Sequence, residues 1–217
     1  MAYDTTLPVL PTPNTTPVGP GFVSQALIQN TTGMIHELND GSSIGVEFNG
    51  SFWTINIAYP ELTIAEAAPL IAFFNRIRGP FKSFYVSLPL HSIPQTGAWG
   101  SNINGLSVDI LDDSLLRIDT WAGESGDADI SINDSLKIGN SNKIYSVASR
   151  RVHNGHLELG LSSPIVNKDT VSGAVLDMAE NNNIQYKVRL TSGMPQFELT
   201  PEGIYSGFTI SMKENIR

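Results

Sequence analysis

The stretch from Ser51 to Leu62 limits the possible folds most, because its polarity alternates with a period of two and then stops at a proline. In an extended chain Trp53, Ile55, Ile57 and Tyr59 point to one side, and Phe52, Thr54, Asn56 and Ala58 to the other. That pattern predicts a strand with one strongly apolar face. Pro60 has no N–H to offer a neighbouring strand, so it ends the ladder. The final strand-like stretch, Tyr205 to Met212, alternates in a similar way. Strands at both ends of a chain with a differently composed middle predict one domain interrupted by another. The expected division is a discontinuous β-rich domain, residues 1–92 and 183–217, with residues 93–182 inserted into it.

A chain of 217 residues has room for one large domain or two small ones. It contains no cysteine, which excludes disulfides, thiolate metal sites and cysteine nucleophiles. No stretch approaches the ~20 apolar residues of a membrane helix. The first residues lack a basic segment followed by an apolar run, so neither membrane insertion nor a signal peptide is expected. The net charge is −8, and residues 93–182 hold twelve of the 21 acidic residues but six of the 13 basic ones. Such a surface repels phosphate backbones and argues against specific nucleic-acid binding. It suits a wall past which DNA slides without adhering.

Turn chemistry divides the first part further. Five prolines among the first twenty residues predict an extended arm or edge segment, with terminal disorder as the plain alternative. Strands are predicted at Phe22–Leu27, Met34–Leu38, Ile44–Phe48 and Phe52–Tyr59, as a meander with turns at Thr32-Gly33, Asn39-Asp40-Gly41 and Asn49-Gly50-Ser51. Thr63 and Glu66 form a capping-box pair that opens a helix. Its predicted apolar stripe is Ile64, Ala67, Ala68, Ile71 and Phe74, with Pro69 as a source of a kink or a later start. Gly79-Pro80 ends it, and a strand resumes over Phe81–Leu88.

Beyond a linker at His91–Gly105, short strands are predicted at Leu106–Leu111, Leu115–Thr120, Leu136–Ile138, Lys143–Val152, Gly155–Leu161 and Ala174–Met178. Five or six strands in about 90 residues are enough for a small closed barrel, with an OB-like fold leading. Asn181-Asn182-Asn183 reads as the return linker, and Ile184–Leu190 and Tyr205–Met212 complete the first domain. The fold class is therefore mainly β with one helix (α+β): a β-sandwich or barrel interrupted by a small OB-like β-barrel.

No catalytic, cofactor-binding or metal-binding residue emerges. His153 and His156 bracket Asn154-Gly155 and would be cross-strand neighbours in a type I′ hairpin, with Glu158 on the face of His156. The ligand set is too thin for zinc, and exposed imidazoles at a turn account for it better. Asp127, Asp129 and Ser131 begin like a calcium loop, but Ile132 stands where glycine is needed and Ile138 where a bidentate glutamate is needed. Glu124-Ser125-Gly126 lacks the nucleophile-elbow spacing. Asp112 and Asp113, a pair imaginable in a glycan hydrolase, are adjacent residues of a polar turn. Gly19-Pro20-Gly21 lacks the spacing and the lysine of a phosphate loop. Trp53, Trp99, Trp121, Tyr145 and Tyr186 are candidate stacking residues; Trp53 reads as core and Trp99 as the exposed contact.

The run from Trp53 to Leu62, the helix after it, Phe84-Tyr85-Val86-Ser87-Leu88-Pro89 and the ending Tyr205 to Glu214 resemble the distal tail protein of tequintavirus-type siphophages. Leu136–Asn140, Ile144–Val147 and Leu159–Pro164 are similar to that family's inserted OB-like domain. The resemblance implies a structural virion protein of the phage tail, assembled in the host cytoplasm and without enzymatic activity or cofactor. It implies a hexameric ring that joins the tail tube protein to the baseplate hub, with the inserted domain projecting toward collar or fibre proteins. DNA would pass through the lumen, where Glu47 or Glu61 are expected to face it. A carbohydrate-binding adhesin acting through the OB-like domain is the alternative.

Overall fold

The computed structural model describes residues 7–15, 17–89, 107–118, 130–138, 141–166, 176–177 and 184–216, and leaves out the side chains of 47–49 and 176–177. Its strands are β1 (Ser24–Glu37), β2 (Ser43–Ala58), β3 (Leu62–Thr63), β4 (Phe84–Ser87), β5 (Val108–Asp112), β6 (Leu115–Ile118), β7 (Ser135–Ile138), β8 (Ile144–His153), β9 (His156–Leu161), β10 (Leu176–Asp177), β11 (Gln185–Leu190), β12 (Ile204–Tyr205) and β13 (Thr209–Glu214). One α-helix, α1 (Ile64–Ile77), lies between β3 and β4. The fold is mainly β. The chain divides into two compact units, residues 1–29, 52–87 and 186–217 in the first and residues 30–51 and 88–185 in the second. The predicted linkers at His91–Gly105 and Asn181–Asn183 lie outside the described residues.

The first sheet has the order β1-β2-β13-β11-β4. β13 pairs antiparallel with β2, setting Ile210 opposite Ile57 and Met212 opposite Ile55. The two ends of the chain thus share one sheet. The alternation seen in the sequence is real, since Trp53, Ile55, Ile57 and Tyr59 are all buried while Phe52, Thr54, Asn56 and Ala58 are half-buried.

The predicted meander is instead one long hairpin. β1 runs straight through Thr32-Gly33 and β2 straight through Asn49-Gly50, and the chain turns only at Asn39–Gly41. There Gly41 takes φ 82°, and the N–H and hydroxyl of Ser42 bond Asp40 Oδ1 at 2.9 and 2.6 Å. Gly50 serves a close approach, not a turn. Thr32 Oγ1 donates to its carbonyl at 2.7 Å, and a Cβ on Gly50 would stand 2.6 Å from that oxygen.

α1 starts where the cap dictates. The Glu66 N–H donates to Thr63 Oγ1 at 3.4 Å, and Glu66 Oε2 accepts the Thr63 N–H at 2.9 Å. Pro69 sits inside the helix and does not delay its start. The buried face is Ala67, Leu70, Phe73, Phe74 and Ile77, rotated from the predicted stripe so that Ile64 and Ala68 are exposed. Leu70, Phe73 and Ile77 offer more apolar surface than the alanine-rich stripe, and burial follows area. Phe73 meets Phe84 edge-on, ring centres 5.2 Å apart, which seats the helix on β4. After Arg78 in the left-handed region (φ 55°) and Gly79 (φ 79°), a short 3-10 turn carries Phe81 outward. Phe81 was expected in the strand; it is 82% exposed, and β4 begins at Phe84.

The proline-rich start is an edge segment on its own sheet. Leu10 N–H donates to the Tyr85 carbonyl at 2.8 Å, and Tyr85 N–H to the Pro8 carbonyl at 2.9 Å, a parallel pairing along β4. Leu10 is fully buried. Gly19 holds the segment's return, since a Cβ there would meet the Pro11 backbone at 2.5 Å.

The second unit's sheet runs β10-β7-β8-β9-β6-β5, with all five pairs antiparallel. Leu116, Ile118, Leu136, Ile138, Ile144, Leu157 and Leu159 are fully buried in this unit. A register shift between Val147 and Ser149 bends the long β8 where it passes from β7 to β9.

Candidate functional site

The β8–β9 turn is the hairpin the sequence predicts. Asn154 (φ 51°) and Gly155 (φ 77°) take the left-handed pair of angles, and His153 faces His156 across the strands. The nearby carboxylate goes elsewhere: Arg151 Nε donates to Glu158 Oε2 at 2.9 Å, while the Asn154 amide meets His153 Nε2 at 3.1 Å. Among the described residues no group of three or more histidines and carboxylates is placed to hold a metal.

Asp112 and Asp113 sit in the exposed β5–β6 turn, where Asp112 Oδ1 accepts the Asp113 N–H at 2.7 Å. That bond tightens the turn. In the failed calcium pattern, Asp134 Oδ2 takes the Ser131 N–H at 2.7 Å and Ile132 is exposed. Asp127, Asp129, Glu124, Ser125, Gly126, Trp99 and Trp121 lie outside the described residues. Trp53 is core, 7% exposed, as expected. Tyr145 and Tyr186 are buried too, so neither offers a ring for stacking; Tyr145 Oη accepts the Val166 N–H at 3.0 Å. Gly19 packs the terminal arm against Pro11.

The first unit carries exposed charged residues at both ends of α1. At the N-terminal end of α1, β3 pairs with β12, Leu62 opposite Tyr205 and Thr63 opposite Ile204. Leu199 bridges to Tyr205 on the other side, and the Ser206 N–H bonds the Glu198 carbonyl at 3.0 Å. Glu61, Glu66, Glu198 and Glu202 are exposed around this ribbon. The Thr63 hydroxyl, and then its N–H, hold the Glu66 carboxyl below the usual glutamate range. At the other end of the helix stand Arg78, Phe81 and Lys82, all exposed. Arg189 joins them through Ser83, whose Oγ accepts from Arg189 Nε at 3.0 Å and from the Asn215 amide at 2.7 Å. The sequence reading missed this end, although every basic residue of the first 92 (Arg76, Arg78 and Lys82) falls within seven positions. Glu61 is exposed, and the side chain of Glu47 lies outside the described residues.

No helix among the described residues is long and apolar enough to cross a membrane. Among curated proteins, none matches the chain. Residues 10–91 match the family model described as "Distal tail protein pb9, A domain, N-terminal". That span holds the docked N-terminal segment, the β1–β2 hairpin, the capped helix and β4, and of the segments that carry the resemblance it includes Trp53–Leu62, the helix and Phe84–Pro89. Over residues 10–91 the chain is thus similar to the distal tail proteins, a family of structural proteins of the phage tail.

Proposed function

We propose that this chain is a distal tail protein that assembles into a hexameric ring at the end of a phage tail tube, joining the tube to the hub and fibres. The observation that carries the reading is the family match over residues 10–91. It is supported by the sheet that unites β2 with β13, which gives both ends of the chain one rigid frame for a ring. In this reading residues 1–92 and 183–217 form the ring domain, and residues 93–182 an inserted OB-like barrel that projects toward collar or fibre proteins. The contact between copies is heterologous and closes on itself. Its work is assembly and not catalysis, needing no cofactor; the protein resides in the virion tail after assembly in the host cytoplasm. DNA passes through the lumen, and acidic side chains such as Glu61 keep its phosphates from adhering.

The test is the mass of the purified full chain in solution over a range of concentrations, with negative-stain images of the same samples. Hexamers and annular particles are expected. A protein that stays monomeric at every concentration, alone and with its tail tube partner, overturns the ring.

A further inference from the structure

The first unit has two electrostatic poles, and α1 separates them. Among its described residues every exposed carboxylate (Glu61, Glu66, Glu198 and Glu202) belongs to the segments around β3, β12 and the start of the helix. The turn carrying Glu202 lies against that start, since a Cβ on Gly203 would touch Ile64 Cδ1 at 3.9 Å. Arg78 and Lys82 follow the helix's other end, about 20 Å away along a helix of 14 residues. The helix dipole favours acid at its start and base at its finish, which accounts for Glu66 and Arg76. It does not account for Lys82, Glu198 or Glu202, which lie outside the helix. Nor does it account for Phe81.

Phe81 is a large apolar side chain, 82% exposed, set between two cations. The conformation that pushes it out is specific: Arg78 at φ 55° and Gly79 at φ 79° reverse the chain, and Pro80 stiffens the 3-10 turn. Arg78 and Lys82 make no ion pair among the described residues, and neither do Glu198 and Glu202. A solvent-exposed aromatic flanked by cations has the composition of an interface anchor. Its complement is an acidic surface, and the chain's own net charge of −8 makes a second copy the nearest supply of one.

We infer that Phe81, flanked by Arg78 and Lys82, is the protruding half of the contact between successive copies of this chain, and that it seats beside the next copy's Glu198 and Glu202. The two patches lie at opposite ends of one helix, so the contact is head-to-tail and can repeat around a ring. This rests on the ring reading above and names the surfaces that close it.

The test uses the full chain and two charge-reversed variants, Arg78→Glu/Lys82→Glu and Glu198→Lys/Glu202→Lys. Each variant alone is expected to remain monomeric where the unaltered protein forms rings. An equimolar mixture re-forms rings, because the reversed knob of one fits the reversed seat of the other in alternation. Phe81→Ser raises the concentration for half-assembly roughly tenfold or more. Circular dichroism of each variant checks that it is folded, and Lys82→Glu alone serves if a double variant is not. Rings formed undiminished by either variant alone overturn the inference, leave the ring reading intact and assign the knob to another tail protein. Rings broken by both but not restored by mixing overturn the pairing of these two patches. If the unaltered protein makes no ring, the failure belongs to the ring reading.

Discussion

Glu214 Oε2 accepts the backbone N–H of Trp53 at 3.1 Å, across 161 residues of chain. Glu214 ends β13 and is 5% exposed, and Trp53 lies in β2, so the bond ties the last strand to the first third of the chain inside the core. Truncating that carboxylate leaves the Trp53 N–H buried without this acceptor. Glu214→Ala is expected to lower unfolding stability by about 1–3 kcal/mol. Glu214→Gln keeps an acceptor oxygen of the same reach and should lose less. Urea unfolding of the two variants checks the order. Equal losses would mean that the acceptor is not what matters at this position.

Tyr59 makes the opposite prediction. Its ring is 3% exposed, stacked on Phe208 with centres 4.9 Å apart and met edge-on by Phe22 at 5.3 Å. Its hydroxyl has no hydrogen-bond partner among the described residues. Burial pushes the phenol's pKa far up, because the phenolate would be stranded in apolar surroundings. A raised folded pKa means that this group's stabilisation is whole below the unfolded value near 10 and is lost as pH rises beyond it. Tyr59→Phe removes an unsatisfied polar group and keeps the ring, so the variant should gain about 1 kcal/mol at neutral pH. It should also resist alkaline unfolding better than the unaltered chain. A loss on substitution would show that the hydroxyl has a partner after all.

The same positions show what the sequence could tell. Residues 52–59 were readable because a half-buried strand writes its two faces with a period of two. Thr63 and Glu66 were readable because a capping box is local chemistry, as was the Asn154-Gly155 turn with its positive φ angles. Gly33 and Gly50 misled because glycine marks both turns and close approaches, and only the strand lying opposite decides which. The helix face was misjudged by one step, since Ile71 and Leu70 both fit an apolar stripe and the sheet beneath chose Leu70. The candidate assembly surface was the least legible. Lys82, Glu198 and Glu202 are scattered in sequence, and their two patches take shape only when β3 pairs with β12 and the chain reverses at Arg78.

Acid should weaken the start of α1. Glu66 is fully exposed, and its folded pKa is lowered by the Thr63 hydroxyl and N–H. A depressed carboxylate pKa gives stability that is present above the unfolded value and is lost as pH falls through the folded one. The thermal stability of the unaltered chain should therefore exceed that of Glu66→Ala at neutral pH. The two should converge below about pH 4, where an ordinary glutamate takes up its proton. Asp40, also lowered by Ser42, titrates in the same window in both proteins and cancels in the comparison. A gap that persists unchanged into acid would show that the cap does not depend on the charge of Glu66.

Gly50 and Thr32 form a pair whose energies should not add. In the unaltered chain a methyl on Gly50 would meet Thr32 Oγ1 at 2.6 Å and turn it away from the Gly50 carbonyl it now bonds. Gly50→Ala thus forfeits that hydrogen bond, offset in part by alanine's smaller backbone entropy. Once Thr32 is alanine the oxygen is gone, and the nearest remaining atom, the Cβ of residue 32, stands at an ordinary 3.8 Å. In that background Gly50→Ala should be neutral or stabilising. A double-mutant cycle read by urea unfolding should give a coupling of roughly 1 kcal/mol between the two positions. Strict additivity would mean that Gly50 is a turn residue after all and that the β1–β2 hairpin does not run straight through it.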